Sequence, residues 1–133
     1  RAYATNSEGT AYGLEDTFVT LNIQYGSGLT DVDGNIYGSV IIGEQEWMSS
    51  NLRVSKYNDG SLISQLTDSL NWVNSTSPAW CWYDNLSDYD SLTGKLYNFY
   101  SVADTNNKNI CPENWHIPSN EEWIELEIFF LML

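Results

Sequence analysis

Residues 30–48 read Thr30-Asp31-Val32-Asp33-Gly34-Asn35-Ile36-Tyr37-Gly38-Ser39-Val40-Ile41-Ile42-Gly43-Glu44-Gln45-Glu46-Trp47-Met48. The Asp33-Gly34 pair lies between β-prone flanks, and glycine supplies the positive φ that a tight hairpin turn demands. Residues 38–43 are the returning strand in this reading. Residues 44–48 then alternate polar and apolar side chains, the two-residue period of a third extended piece. Short antiparallel strands are the starting point for the fold.

Upstream the chain breaks into a smaller unit. Arg1-Ala2-Tyr3-Ala4-Thr5-Asn6 is β-prone and runs into Ser7-Glu8-Gly9-Thr10, a turn with glycine at hand. Ala11-Tyr12-Gly13 follows, and Asp16-Thr17-Phe18-Val19-Thr20 extends again. An isolated hairpin is marginal in water, so residues 1–20 read as the C-terminal hairpin of a preceding β-module. Residues 21–29 contain Gly26-Ser27-Gly28 and suit a flexible joint. The main domain is then residues 30–133.

Downstream, two helices are expected. Leu96, Phe99, Tyr100 and Ala103 recur at helical spacing and predict a short amphipathic helix over residues 94–103. Ser119-Asn120-Glu121-Glu122, after Pro118, is a capping box, in which Ser119 accepts from the N3 amide and Glu122 reaches back. Trp123, Leu126 and Phe130 line one side of the helix it opens. Short strands with two helices make the fold class α+β. The chain ends inside an apolar stretch, Leu131-Met132-Leu133, as if the domain were cut short or the reading frame altered near Glu127.

Composition limits the function classes. The 133 residues suffice for one ordinary domain, which buries about two-thirds of its unfolded surface. Eighteen acidic against five basic residues give a net charge of −13. A field of that sign repels phosphate backbones and anionic lipid, so neither nucleic acid nor a membrane surface is an expected partner. The apolar run at residues 124–133 is too short to insert across a bilayer, and no signal-peptide pattern opens the chain. The acidic surface reads as a solvated one, with calcium the cation it would suit.

Several motifs carry candidate chemistry. Asp31-x-Asp33-x-Asn35 resembles the start of an oxygen-ligand calcium loop, but an EF-hand would need its glycine one place later and a glutamate where Ile42 stands. A hairpin turn is the favoured reading of the same residues. Trp72, Trp80, Trp82, Tyr83 and Tyr89 form an aromatic cluster, and sugar rings stack on such side chains. Asp84, Asn85 and Asp88 would read the hydroxyls, so Trp80, Trp82, Tyr83, Asp84, Asn85 and Asp88 are the candidate ligand-binding set. Against this, alternation in Trp80-Cys81-Trp82 puts both tryptophans on one strand face, which favours a core.

No catalytic constellation is apparent. His116 is the single histidine, and its place ahead of a capped helix suits a structural role. No GxSxG, HExxH, phosphate loop or GxGxxG occurs. Glu44/Glu46, Asp88/Asp90 and Glu121/Glu122 sit where strand, loop and helix surfaces put carboxylates anyway. Cys81 and Cys111 are the only cysteines and fit an oxidising compartment. A bridge between them would stabilise the fold by about 3–4 kcal/mol on the chain-entropy account. A metal site is not expected, because there is no CxxC.

Six ordered blocks carry a resemblance. They are residues 31–37, residues 42–48, Asn51-Leu52 with Lys56-Tyr57-Asn58-Asp59-Gly60, Trp80-Cys81-Trp82-Tyr83, Gly94-Lys95-Leu96-Tyr97-Asn98-Phe99-Tyr100, and Cys111-Pro112-Glu113-Asn114-Trp115-His116-Ile117-Pro118-Ser119. In that order they resemble the Fibrobacter succinogenes major paralogous domain. The resemblance implies a C-type-lectin-like α+β fold in a secreted or surface-anchored bacterial protein. It also implies a domain that continues past residue 133, with a late cysteine as an alternative partner for Cys111. Residues 1–9 are similar to the penultimate strand of fibronectin type III-like modules, which commonly precede this family.

The function expected from these readings is an extracellular, non-catalytic recognition module that binds a glycan or a protein. The alternatives are an oxidase like the formylglycine-generating enzymes, which the resemblance would place beyond this chain's own residues, and a structural spacer. No cofactor is expected, calcium apart.

Overall fold

The computed structural model describes residues 3–12, 23–103 and 108–131. The N-terminal hairpin forms as expected: β1 (Tyr3–Asn6) pairs antiparallel with β2 (Gly9–Tyr12), with Tyr3 opposite Tyr12 and Asn6 opposite Gly9. The strand expected over residues 16–20 lies outside the described residues.

The joint expected at residues 21–29 is instead partly built into the domain. β3 (Gln24–Tyr25) adds to the edge of β6 (Ser39–Ile42), with Gln24 opposite Ile41 and Tyr25 opposite Val40. β4 (Leu29–Thr30) pairs with β5 (Ile36–Tyr37), so a hairpin forms around Asp33-Gly34, but its returning strand is β5 and not residues 38–43, whose Ser39–Ile42 lies in the other sheet with β3. The Gly-Ser sequence between them is pinned rather than loose. Gly26 N donates to Ser39 O, Ser27 N to Glu46 Oε1, and Gly28 N to Ser39 Oγ. A Cβ at Gly26 would lie 1.9 Å from Glu46 Oε1 and 2.4 Å from Ser39 Oγ, so a larger residue would displace the side chains that pin the segment. Composition marked these residues as flexible, but the same lack of side chains lets backbone come close enough to hydrogen-bond.

β6 runs through a Gly43-Glu44 turn into β7 (Gln45–Met48), with Val40 opposite Trp47, so the sheet order is β3-β6-β7. A second sheet has the order β10-β9-β8. In it β8 (Ser64–Gln65) runs parallel to β9 (Ala79–Trp82), and β10 (Lys95–Tyr97) runs antiparallel to β9. The parallel pair requires a crossover, and α1 (Ser69–Asn74), capped by Asp68, lies within it.

Four α-helices occur among the described residues, where two were expected. They are α1, α2 (Asp90–Thr93), α3 (Phe99–Val102) and α4 (Asn120–Leu131). The helix predicted over residues 94–103 is replaced by a strand and a single helical turn. Two local features stop a continuous helix. Gly94 takes φ 65 and closes α2, and Asn98 caps α3 through a bond from Ser101 N to its own Oδ1. The β9 edge then supplies backbone partners to Lys95–Tyr97, outweighing an apolar spacing that also matched a helix.

The capping-box helix forms as read. Glu122 N donates to Ser119 Oγ at 3.2 Å, and Ser119 N to Glu122 Oε2 at 2.7 Å. The core collects Val54, Tyr57, Ile63, Trp80, Ile110 and Cys111, with Leu52, Trp82, Tyr97 and Trp115 packed against it. The molecule is thus a small α+β domain with several short strands. No helix among the described residues is long and apolar enough to cross a membrane.

Candidate functional site

The candidate ligand set divides between core and surface. Trp80 is buried, and its Nε1 donates to Ile63 O at 3.0 Å, the partner a buried indole needs. Trp82 stands 5.1 Å from it edge-on and donates to Asp90 Oδ1 at 2.9 Å. Both therefore take the core reading. Tyr83, Asp84, Asn85 and Asp88 are exposed on the two 3-10 turns that follow β9. Asp84 and Asn85 both have positive φ, and Asn85 Nδ2 anchors the turn to Thr67 O. Tyr83 meets Tyr89 edge-on at 6.3 Å. Trp72 is half-buried on α1. The tyrosine pair and the two tryptophans thus do not form one platform.

Asp31, Asp33 and Asn35 are brought together, but around protein donors. Asp31 is buried, with Oδ1 accepting from Asp33 N and Asn35 N. Its Oδ2 accepts from Asn35 Nδ2 and from Tyr37 Oη at 2.5 Å. Asp33 Oδ2 accepts from Ser55 N and Ser55 Oγ, both at 2.6 Å, and Oδ1 pairs with Lys56 Nζ at 2.8 Å. These donors use the lone pairs that calcium would need, so the residues do not fit the ion. Their effect is to staple the hairpin loop onto residues 53–56. Burial on its own would raise the Asp33 carboxyl, but the bonds from Lys56 and Ser55 and the Lys56 charge outweigh it and hold it at about 2.

A concave surface lies elsewhere. A groove of about 850 Å³ opens between residues 27–30, strand β7, residues 113–118 and the first turn of α4. Trp47 and Trp123 meet across it with centroids 4.9 Å apart and planes tilted by 50°. The contact is fixed by Gln45, whose Oε1 accepts from Trp47 Nε1 and whose Nε2 donates to Glu125 Oε2 and Glu122 O. Phe129 lies over Gly43 and docks the far end of α4 on the β6–β7 turn. Trp115 joins the groove wall to the core. His116 Nε2 lies 2.7 Å from Glu122 Oε1. The bond from Ser119 N and then the His116 contact hold the Glu122 carboxyl below the usual carboxylate range. The groove acids are Glu44, Glu46, Glu113 and Glu122, and among the described residues neither lysine nor arginine lines it.

A family model described as the Fibrobacter succinogenes major domain matches residues 40–132, well over half of the chain. The chain belongs to that family. No curated protein and no solved structure matches it.

In this Fibrobacter succinogenes major domain both cysteines are free thiols, and the Cys81–Cys111 bridge left open by the sequence is not formed. Strand alternation gives the reason. Cys111 packs in the core on the side of Trp80, while Cys81, next to Trp80 on β9, points to the opposite face. Burial pushes the Cys111 thiol up to about 11 and also raises Cys81.

The groove of this family member was not read from the sequence. Trp47 registered as a strand residue, Trp123 as a helix face and His116 as a structural residue. The available signal was that three tryptophans fall within the matched blocks at 42–48 and 111–119 and the capped helix. Only tertiary packing shows that they converge.

Proposed function

We propose that this chain is a non-catalytic recognition module of a secreted or surface-anchored bacterial protein, binding a carbohydrate or a protein in the Trp47–Trp123 groove. In this reading the domain is lectin-like and the β1–β2 hairpin ends a fibronectin type III-like module. The observation that carries the proposal is the open groove in which Trp47, Trp115 and Trp123 stand beside exposed carboxylates. Aromatic walls with a few polar groups are the usual chemistry of a binding cleft.

The oxidase alternative gains nothing from these cysteines. A thiolate is the reactive species, and Cys111 is both buried and raised.

A glycan array and a pull-down with the full chain test the proposal, each run with calcium and without it. Trp123→Ala, checked for retained circular dichroism, is the companion variant. Retention by the parent chain and its loss in the variant are expected. Blank results in both assays under both conditions would overturn the proposal and favour the spacer alternative.

A further inference from the structure

We propose that the groove takes a cationic segment of a partner protein, carrying lysine or arginine side chains. This rests on the recognition reading above and specifies its ligand.

Charge complementarity is the first argument. The wall residues Glu44 and Glu113 are exposed, and Glu46 is exposed with Oε1 bound to Ser27 N and Ser39 Oγ. Among the described residues no lysine or arginine lines the groove, and the whole chain carries −13. A basic segment is drawn in by that field, whereas a second copy of this chain is repelled by it.

The aromatic rings are the second argument. Trp47 and Trp123 present indole rings beside these acids, and Trp123 is 49% exposed. An ammonium or guanidinium over an indole face gains from the ring quadrupole, and tryptophan is the best ring for it. Acids flanking indoles therefore suit a cation better than a neutral hydroxyl-rich ligand. The chain already makes the same contact internally, with Lys95 Nζ 4.8 Å over the Trp80 ring beside Asp90.

The third argument separates an organic cation from a metal. Among the described residues no three His, Cys, Asp or Glu side chains converge closely enough to hold a metal ion.

The test uses intrinsic tryptophan fluorescence of the full chain. Its probes are a short glycine-rich peptide carrying one lysine and one arginine, the same peptide with acetyl-lysine and citrulline, and a neutral oligosaccharide. Glu44→Gln/Glu113→Gln is the variant, chosen because both side chains are exposed. The charged peptide is expected to bind, with affinity falling about tenfold from about 50 to about 500 mM salt and about tenfold in the variant. Equal binding of the neutralised peptide, or binding of the oligosaccharide alone, would overturn the cationic occupant and leave the recognition reading standing. Binding of none of the probes would overturn the cationic occupant and count against the groove as a recognition site.

Discussion

Asp33 illustrates how one side chain changes its apparent role between sequence and structure. Its spacing from Asp31 and Asn35 resembled a cation loop, yet its two oxygens serve Lys56 and Ser55. Because the folded carboxyl lies near 2, below its ordinary value of 3.8, ionised Asp33 stabilises the folded state above that ordinary value. The contribution is lost as pH falls through the folded value. Asp33→Asn should therefore lower stability at pH 7 and flatten the acid side of the stability curve between about pH 4 and about pH 2, as urea melts across that range would measure. A parent-like slope in the variant would rule out this account. The thiols make a second residue-scale prediction. Cys111 is 5% exposed and raised to about 11, so it should resist a thiol reagent at pH 8 until the chain is unfolded. Peptide mapping should locate any native-state labelling at Cys81, and the parent mass should not change on reduction.

Among the elements, the run from β10 to α3 separates local from tertiary signals most clearly. The spacing of Leu96, Phe99, Tyr100 and Ala103 was legible but ambiguous, because a pattern read over so few residues fits more than one structure. Asn98 decides it. Its Oδ1 accepts from Ala79 N, Ser101 N and Ser101 Oγ, and its Nδ2 donates to Ser77 O. One side chain thus caps α3 and ties it to the start of β9. Asn98→Ala should cost about 1–2 kcal/mol, from the lost cap and the lost side-chain bonds to Ser77 and Ala79, measured as a drop in the urea midpoint at unchanged slope. A neutral result would mean that water replaces these bonds without cost. The α4 capping box, by contrast, was fully legible, since both partners lie within three residues and need no distant contact.

For the whole molecule, Trp80 connects strand, core and charge. It packs with Tyr57, Ile63 and Cys111, donates to Ile63 O and carries Lys95 over its ring. Trp80→Ala should cost about 3–5 kcal/mol, a large share of the stability of a domain this size. Chemical denaturation should show it as loss of most of the folded baseline, while Tyr83→Ala, at an exposed site, should change stability little. Equal effects of the two substitutions would contradict the division between core tryptophan and surface tyrosine.

The sequence alone determined what depends on neighbours in the chain. Its turn residues and periods set the turn at Asp33-Gly34, the β6–β7 strands, the alternation that buried Trp80 and the cap of α4, because glycine dihedrals, side-chain alternation and cap bonds all act over a few residues. Tertiary structure decided the rest. It drew Gln24–Tyr25 and the Gly-Ser segment onto the sheet, separated Cys81 from Cys111 across a strand, gave the acids of the Asp-Gly turn to Lys56 and Ser55, and brought Trp47 and Trp123 together. Each of these unites groups far apart in sequence, and local preference carries no information about which distant surface will be buried against which.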